Sequence, residues 1–210
     1  MIPSNHLSEP RVLRVIPHLL TPLLILLLGT TPLTAQEVTL QIGQDHEIII
    51  EGTSNVRDWS AEVTAVEGEL VLNGFNGSID GLTADQFRSL RLEMPVGDIE
   101  SDGRRLTNNI RNYLEEGDHP VITFELNQVN SVEIDGNSGV LEAEGTVTAA
   151  GNEAPVTMQV NVGLEGNNLL FSGSQPLNMT DFDIDPPTAV LGTIRAADEM
   201  TIEFNVSFEN

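Results

Sequence analysis

The 210-residue chain contains no cysteine. Its stability must come from packing and not from disulfides, and an anchor built on a lipid-modified cysteine is excluded. It contains no lysine either. Nine arginines oppose 32 acids, for a net charge of −23. That field repels nucleic acid and anionic membrane surfaces alike. The signatures of common enzymes are also missing: there is no G-x-S-x-G elbow, no P-loop and no dinucleotide fingerprint. Beyond residue 35 only His46 and His119 remain. They lie far apart, and neither has a His or Cys companion at ligand spacing, so a zinc site is not supported. His119 precedes Pro120 in a turn and reads as structural. No catalytic residue and no metal ligand set is expected.

The first 35 residues read as a secretory signal peptide. Arg11 and Arg14 form a basic region, "VIPHLLTPLLILLLG" (15–29) an apolar one, and "LTA" offers a processing site after Ala35. An uncleaved anchor is the rival, since residues 15–36 carry no charge, but Pro17, Pro22 and Pro32 interrupt that span. With Glu9, Arg11 and Arg14 removed, 31 acids face seven arginines, a net charge of −24. Residues 36–210 suffice for one domain with a real core, in a periplasmic or secreted location. They show no internal repeat and no linker.

What this domain does have is period two. "SLRLEMPV" sets Leu90, Leu92, Met94 and Val96 on one face. "VITFELNQV" sets Ile122, Phe124 and Leu126 against Thr123, Glu125 and Asn127. "PVTMQVNV" and "TIEFNVSF" alternate in the same way, with Val156, Met158, Val160 and Val162 in one and Ile202, Phe204, Val206 and Phe208 in the other. Such alternation marks antiparallel sheet with one face buried and one wet. Further strands are expected at 46–52, 59–72, 139–149 and 168–177, with turns at 135–139 and 165–168. About eight strands predict an all-β barrel or a two-sheet sandwich. One segment departs from the pattern. "GRRLTNNIRNYLEEG" places Leu106, Ile110, Tyr113 and Leu114 at helical spacing, with Gly117 as the stop signal.

Two clusters of charge invite a functional reading. "TDFDIDPPT" repeats Asp181, Asp183 and Asp185 as D-x-D-x-D, but Pro186 and Gly192 stand where a calcium loop needs Gly and Glu. A solvated acidic edge is the better reading. Five arginines, Arg88, Arg91, Arg104, Arg105 and Arg111, fall within 24 residues. Local charge balance accounts for them; the functional alternative is a rim for an anionic or carbonyl-bearing head group, with Arg104 and Arg105 as its candidates.

The order of several short motifs resembles the YceI family of bacterial exported proteins. "GTSNVRDWSAEV" (52–63) is similar to that family's "G-x-S-x-x-x-x-W". "NNIRNYL" followed by "HPVITFEL" resembles its helix leading into a "yP-x-I-x-F" strand. "LEAEGTVTAAGNEAPVTMQVNV" (141–162) resembles its "G-x-L-T-x-x-G-x-x-x-P-V" hairpin, and 178–206 its closing "T-D-F-G-I" turn and last strand. Asp183 replaces the Gly usual after "D-F", so the turn there is expected to differ. The resemblance implies a lipocalin-like antiparallel β-barrel of about eight strands with one amphipathic helix. It also implies a non-catalytic, periplasmic carrier of an isoprenoid-type lipid or a quinone. On that reading the lining residues are Trp59, Leu90, Leu92, Met94, Ile110, Leu114, Phe124, Met158, Phe171, Met179 and Phe182. The expected partner is the lipid, without nucleic acid and without stable membrane insertion; a homodimer is left open. The rival is a solidly packed acidic interaction module of the cell envelope.

The acid excess and the missing lysines point to a salt-rich medium, where a Debye length of about 3 Å at 1 M screens the self-repulsion. The melting temperature is therefore expected to rise by several degrees between dilute buffer and molar salt; a flat or falling curve removes that reading.

Overall fold

The computed structural model describes residues 36–209, so the expected signal peptide lies outside the described residues. In chain order the elements are β1 (Glu37–Ser54), β2 (Trp59–Val63), β3 (Glu67–Asn73), β4 (Phe87–Pro95), β5 (Ile99–Ser101), α1 (Arg104–Tyr113), β6 (Val121–Asp135), β7 (Ser138–Ala149), β8 (Asn152–Glu165), β9 (Asn168–Asn178), β10 (Thr188–Ala189) and β11 (Ile194–Glu209). Eight of these strands close an antiparallel barrel in the order β1-β3-β4-β6-β7-β8-β9-β11, and β11 returns to β1. Closure rests on pairs such as Ile48 with Phe204 and Ile50 with Ile202.

Each alternating run places its apolar set inside. On β8 Val156, Val160 and Val162 are buried and Met158 is half-buried, while Thr157, Gln159 and Asn161 face outward. A one-residue slip would turn every one of these side chains to the other face. The strand expected over 59–72 is two strands, β2 and β3, separated at 64–66. They serve different stretches of β1: Glu37–Gln41 pair with β3, and Ile49–Gly52 pair with β2. β5 adds to β2, and α1 packs beside β5.

The helix hangs on β5 through polar contacts. The backbone N–H of Ser101 donates to Thr107 Oγ1 at 3.0 Å, and Arg111 donates from Nε and Nη2 to the carbonyl of Ile99 at 3.1 and 3.0 Å. Arg111 is thereby a tether, and Arg91 pairs with Glu93 and Glu125 on the outer surface. Among the described residues no helix is long and apolar enough to cross a membrane.

One end of the barrel is plugged. The connection between β3 and β4 folds Ile79 and Leu82 into the main core beside Leu70 and Leu72. Phe171 meets Phe87 and Phe208 edge to face, with centroids 6.5 and 5.8 Å away, a favoured arrangement of aromatic quadrupoles.

The helix ends before Gly117. Glu116 N–H donates to Arg111 O at 3.0 Å and Glu115 N–H to Asn112 O at 3.2 Å, the pair of bonds of a Schellman stop. The left-handed residue that such a stop requires is Glu115, with φ at 56°. A side chain there is strained where glycine would not be. Glu115→Gly is expected to stabilise the fold by about 1 kcal/mol, or roughly 2–4 °C in Tm. Its ion pair at 3.7 Å to a half-exposed His119 is too weak to offset that gain. Glu115→Gln, which removes the same charge and keeps the Cβ, is expected to gain less in the same thermal melt.

Candidate functional site

The barrel interior is not filled by its own side chains. A cavity of about 1340 Å³ lies within it, above the roughly 300–1,000 Å³ of ordinary small-molecule pockets. Its wall is apolar: Leu90, Leu92 and Met94 from β4, Ile122, Phe124 and Leu126 from β6, Leu141, Ala143 and Val147 from β7, Met158 and Val160 from β8, and Met200, Ile202, Phe204 and Val206 from β11. Phe171 and Phe208 stand at the plugged end.

The cavity opens to solvent at its mouth, so the space is filled by water or by a molecule that suits the wall. The inner wall is built mainly of apolar side chains, so it offers water few hydrogen-bonding groups, and an apolar occupant releases that water at a gain of about 25 cal/mol per Å² of apolar surface covered.

The exposed lining residues mark the mouth. Most come from three places: the β1–β2 connection with Val56, Arg57 and Asp58, the start and outer side of α1 with Asp102, Arg105, Asn109 and Tyr113, and the β10–β11 hairpin with Thr188 and Val190. The helix lays Leu106, Ile110 and Leu114 over the cavity. A short turn, Met179–Phe182, inserts Met179 and Phe182 beside them, in a second apolar cluster that Trp59, Leu114 and Phe124 also touch.

All eleven apolar residues singled out from the sequence line this one cavity: Trp59, Leu90, Leu92, Met94, Ile110, Leu114, Phe124, Met158, Phe171, Met179 and Phe182. Of the two rim arginines, Arg105 lines it and Arg104 does not. Arg57 and the hairpin at 188–194 line it as well and were missed, because nothing local in "NVRDW" or "TAVLGTI" signals a cavity. Gly52 and Gly145 fall within two of the family-like motifs, and their role is steric. A Cβ on Gly52 would sit 2.2 Å from Cζ2 of Trp59, and one on Gly145 would sit 2.3 Å from Cε2 of Phe124. Each glycine is the bed for an aromatic ring of the cavity wall.

The "DFDID" run gathers no cation site among the described residues. Asp181 caps its own turn, its Oδ2 accepting from the N–H and Nδ2 of Asn178, both at 3.2 Å. Asp183 occupies the left-handed region, at φ 59° and ψ 25°. The turn therefore keeps the backbone that glycine would adopt, and the aspartate bears the strain, which its short polar side chain tolerates better than most.

A family model described as the YceI-like domain matches residues 36–208. Among solved structures, the chain resembles BcnA of Burkholderia cenocepacia at a TM-score of 0.59 and 16% identity, covering 77% of this chain and 95% of that one. A polyisoprenoid binding domain from Saccharophagus degradans, implicated in plant cell wall breakdown, aligns at 0.60 and 11%, covering 83% and 99%. The YceI protein of Campylobacter jejuni aligns at 0.54 and 16%, covering 71% and 84%. No curated protein matches the chain.

Trp59 is the single tryptophan of the chain and reports on this wall. Gly52→Ala is expected to push its ring off β1, costing about 1–3 kcal/mol by overpacking and shifting its emission to the red. An unchanged spectrum with unchanged stability overturns the ring-on-glycine account.

Proposed function

The chain belongs to the YceI-like domain family, and we propose that it is an exported, non-catalytic carrier that holds an isoprenoid-type lipid or a quinone inside its barrel. The observation that carries this reading is the cavity of about 1340 Å³ with an apolar wall. Support comes also from the fold shared with a domain whose name states polyisoprenoid binding. A polyprenyl chain needs a tunnel and no reactive group. Each methylene it buries contributes about 0.8 kcal/mol gross, so several isoprene units outweigh the cost of ordering the chain.

The rim offers a place for a polar head. Arg105 and Asn109 stand at the mouth on α1, and a guanidinium suits an anionic or carbonyl-bearing group. Export follows from the reading of residues 1–35 and fits the acidic, cysteine-free domain. The rival, a solidly packed interaction module, is weakened by the same cavity, since such a module would fill its interior with its own side chains.

Protein purified from its own envelope fraction, kept in high salt, is expected to show a reproducible added mass in native mass spectrometry. Organic extraction should return that mass as a prenyl lipid or a quinone. An empty protein that also rejects added prenyl alcohol overturns the carrier reading and favours the packed module.

A further inference from the structure

Of the large apolar side chains on the described surface, three stand out by exposure: Val56 at 64%, Val190 at 64% and Leu191 at 106%. No other exceeds 41%. Single exposed apolar residues need no explanation, but these three are not scattered. Val56 lies on the β1–β2 loop, and Val190 and Leu191 form the tip of the β10–β11 hairpin. The two loops are tied together: Asn55 donates from N to Arg195 O at 3.1 Å and from Nδ2 to Thr193 O at 2.8 Å, and Arg195 N donates to Asn55 Oδ1 at 2.9 Å. Val56 and Val190 both line the cavity, so the joined tips are part of its mouth.

The backbone makes the exposure more telling. Val190 and Leu191 hold φ at 51° and 55°, followed by Gly192 at 82°. Left-handed turn positions ordinarily go to Gly, Asn or Asp, and a β-branched residue there is an outlier. Two apolar side chains thus occupy positions that favour small polar ones, Leu191 fully in water and Val190 largely so. A local conflict of this kind is expected where a surface has work to do.

We propose that the joined β1–β2 and β10–β11 tips are a docking edge that rests on a bilayer of neutral head groups and sets the cavity mouth against it. This rests on the carrier reading, because a prenyl lipid resides in a membrane and must cross between bilayer and barrel without exposure to water. Charge selects the surface. Arg57 and Arg195 flank the tips, but Asp58 and Glu51 stand at the same mouth, and the net charge of the chain is −23. An anionic bilayer would repel the approach, whereas a zwitterionic one in concentrated salt would not.

The test floats the protein, as purified from its own cells, with phosphatidylcholine vesicles in about 1 M salt. The wild type is expected to rise with the vesicles. Leu191→Asn keeps a residue that tolerates the left-handed region and is expected to bind vesicles at least about tenfold more weakly. Leu191→Trp is expected to bind and to shift its emission to the blue on vesicle addition, against the constant background of Trp59. Uptake of detergent-dispersed polyprenyl alcohol is measured on the same samples and is expected to be equal in wild type and Leu191→Asn, since Leu191 lies outside the cavity lining. A wild type that takes up the alcohol but does not float, or a Leu191→Asn variant that floats as well as wild type, overturns the docking edge and leaves the carrier reading intact. Flotation that depends on Leu191 without uptake of the alcohol overturns the carrier reading and keeps the edge. Self-association that depends on Leu191, with no flotation, assigns the edge to a second copy of the chain and overturns its use on lipid.

Discussion

The structure depends on how one strand shares its edges. β1 closes the barrel against β11 along one side. Along the other it gives its first residues to β3 and its later ones to β2. The first half therefore belongs to the ring that ends in the plugged floor. The second half carries a short side sheet, β2 and β5, with the helix hung upon it. Because α1 takes a position beside β5 where a further strand would continue the sheet, the cavity acquires a wall of Leu106, Ile110 and Leu114 in place of hydrogen-bonded backbone. A strand is committed to its neighbours by a ladder, whereas a helix satisfies its own backbone. The part of the wall beside the mouth is thus held by side-chain contacts, those of Thr107 and Arg111 with β5, and not by a ladder.

Much of this was legible in the sequence because period two is local. Four alternating runs separated an apolar from a polar face without knowledge of their partners, and the barrel turns the apolar faces inward. The helix was equally legible from Leu106, Ile110 and Leu114. What failed was punctuation. The break between β2 and β3 falls at Thr64–Val66, where Val66 is buried and no Gly or Pro marks a turn. The helix stop fell to Glu115 although Gly117 stood two residues on. The β10–β11 hairpin carries Val190 and Leu191 at its tip, against the ordinary chemistry of turns. In each place the local signals on which a single sequence is read do not mark where the chain turns.

The candidate site was legible in its residues and not in its form. Alternation says which side chains point inward, but it does not say whether they meet. That depends on strand number and tilt, which set the width of the interior. With eight strands, side chains of ordinary size can either fill the space or leave it open, and here the wall includes residues as small as Ala143 and Ala149. The motif glycines belong to the same question. Gly52 and Gly145 give Trp59 and Phe124 room to pack against the neighbouring strand, where a side chain would collide with two of the largest rings of the wall. A pattern that looks like a set of family letters is, in these two places, a steric requirement of the wall.

The acidic surface and the apolar cavity are independent properties of the same strands. Along β6, Ile122, Phe124 and Leu126 line the cavity while Glu125 and Asn127 face water. Along β11, Ile202 and Phe204 line it while Glu203 and Asn205 do not. Strict alternation separates the two sets by the thickness of one sheet. Outer charges at that distance from an apolar lumen act on solubility and self-repulsion, which salt screens. They do not set the free energy of an uncharged occupant, which scales with apolar area covered. The outer face can therefore answer to the medium and the inner face to the cargo, and they meet only at the mouth. There Glu51, Arg57, Asp58 and Arg105 share the lining with Val56 and Val190, so the mouth is where the charge of the protein can bear on what enters it.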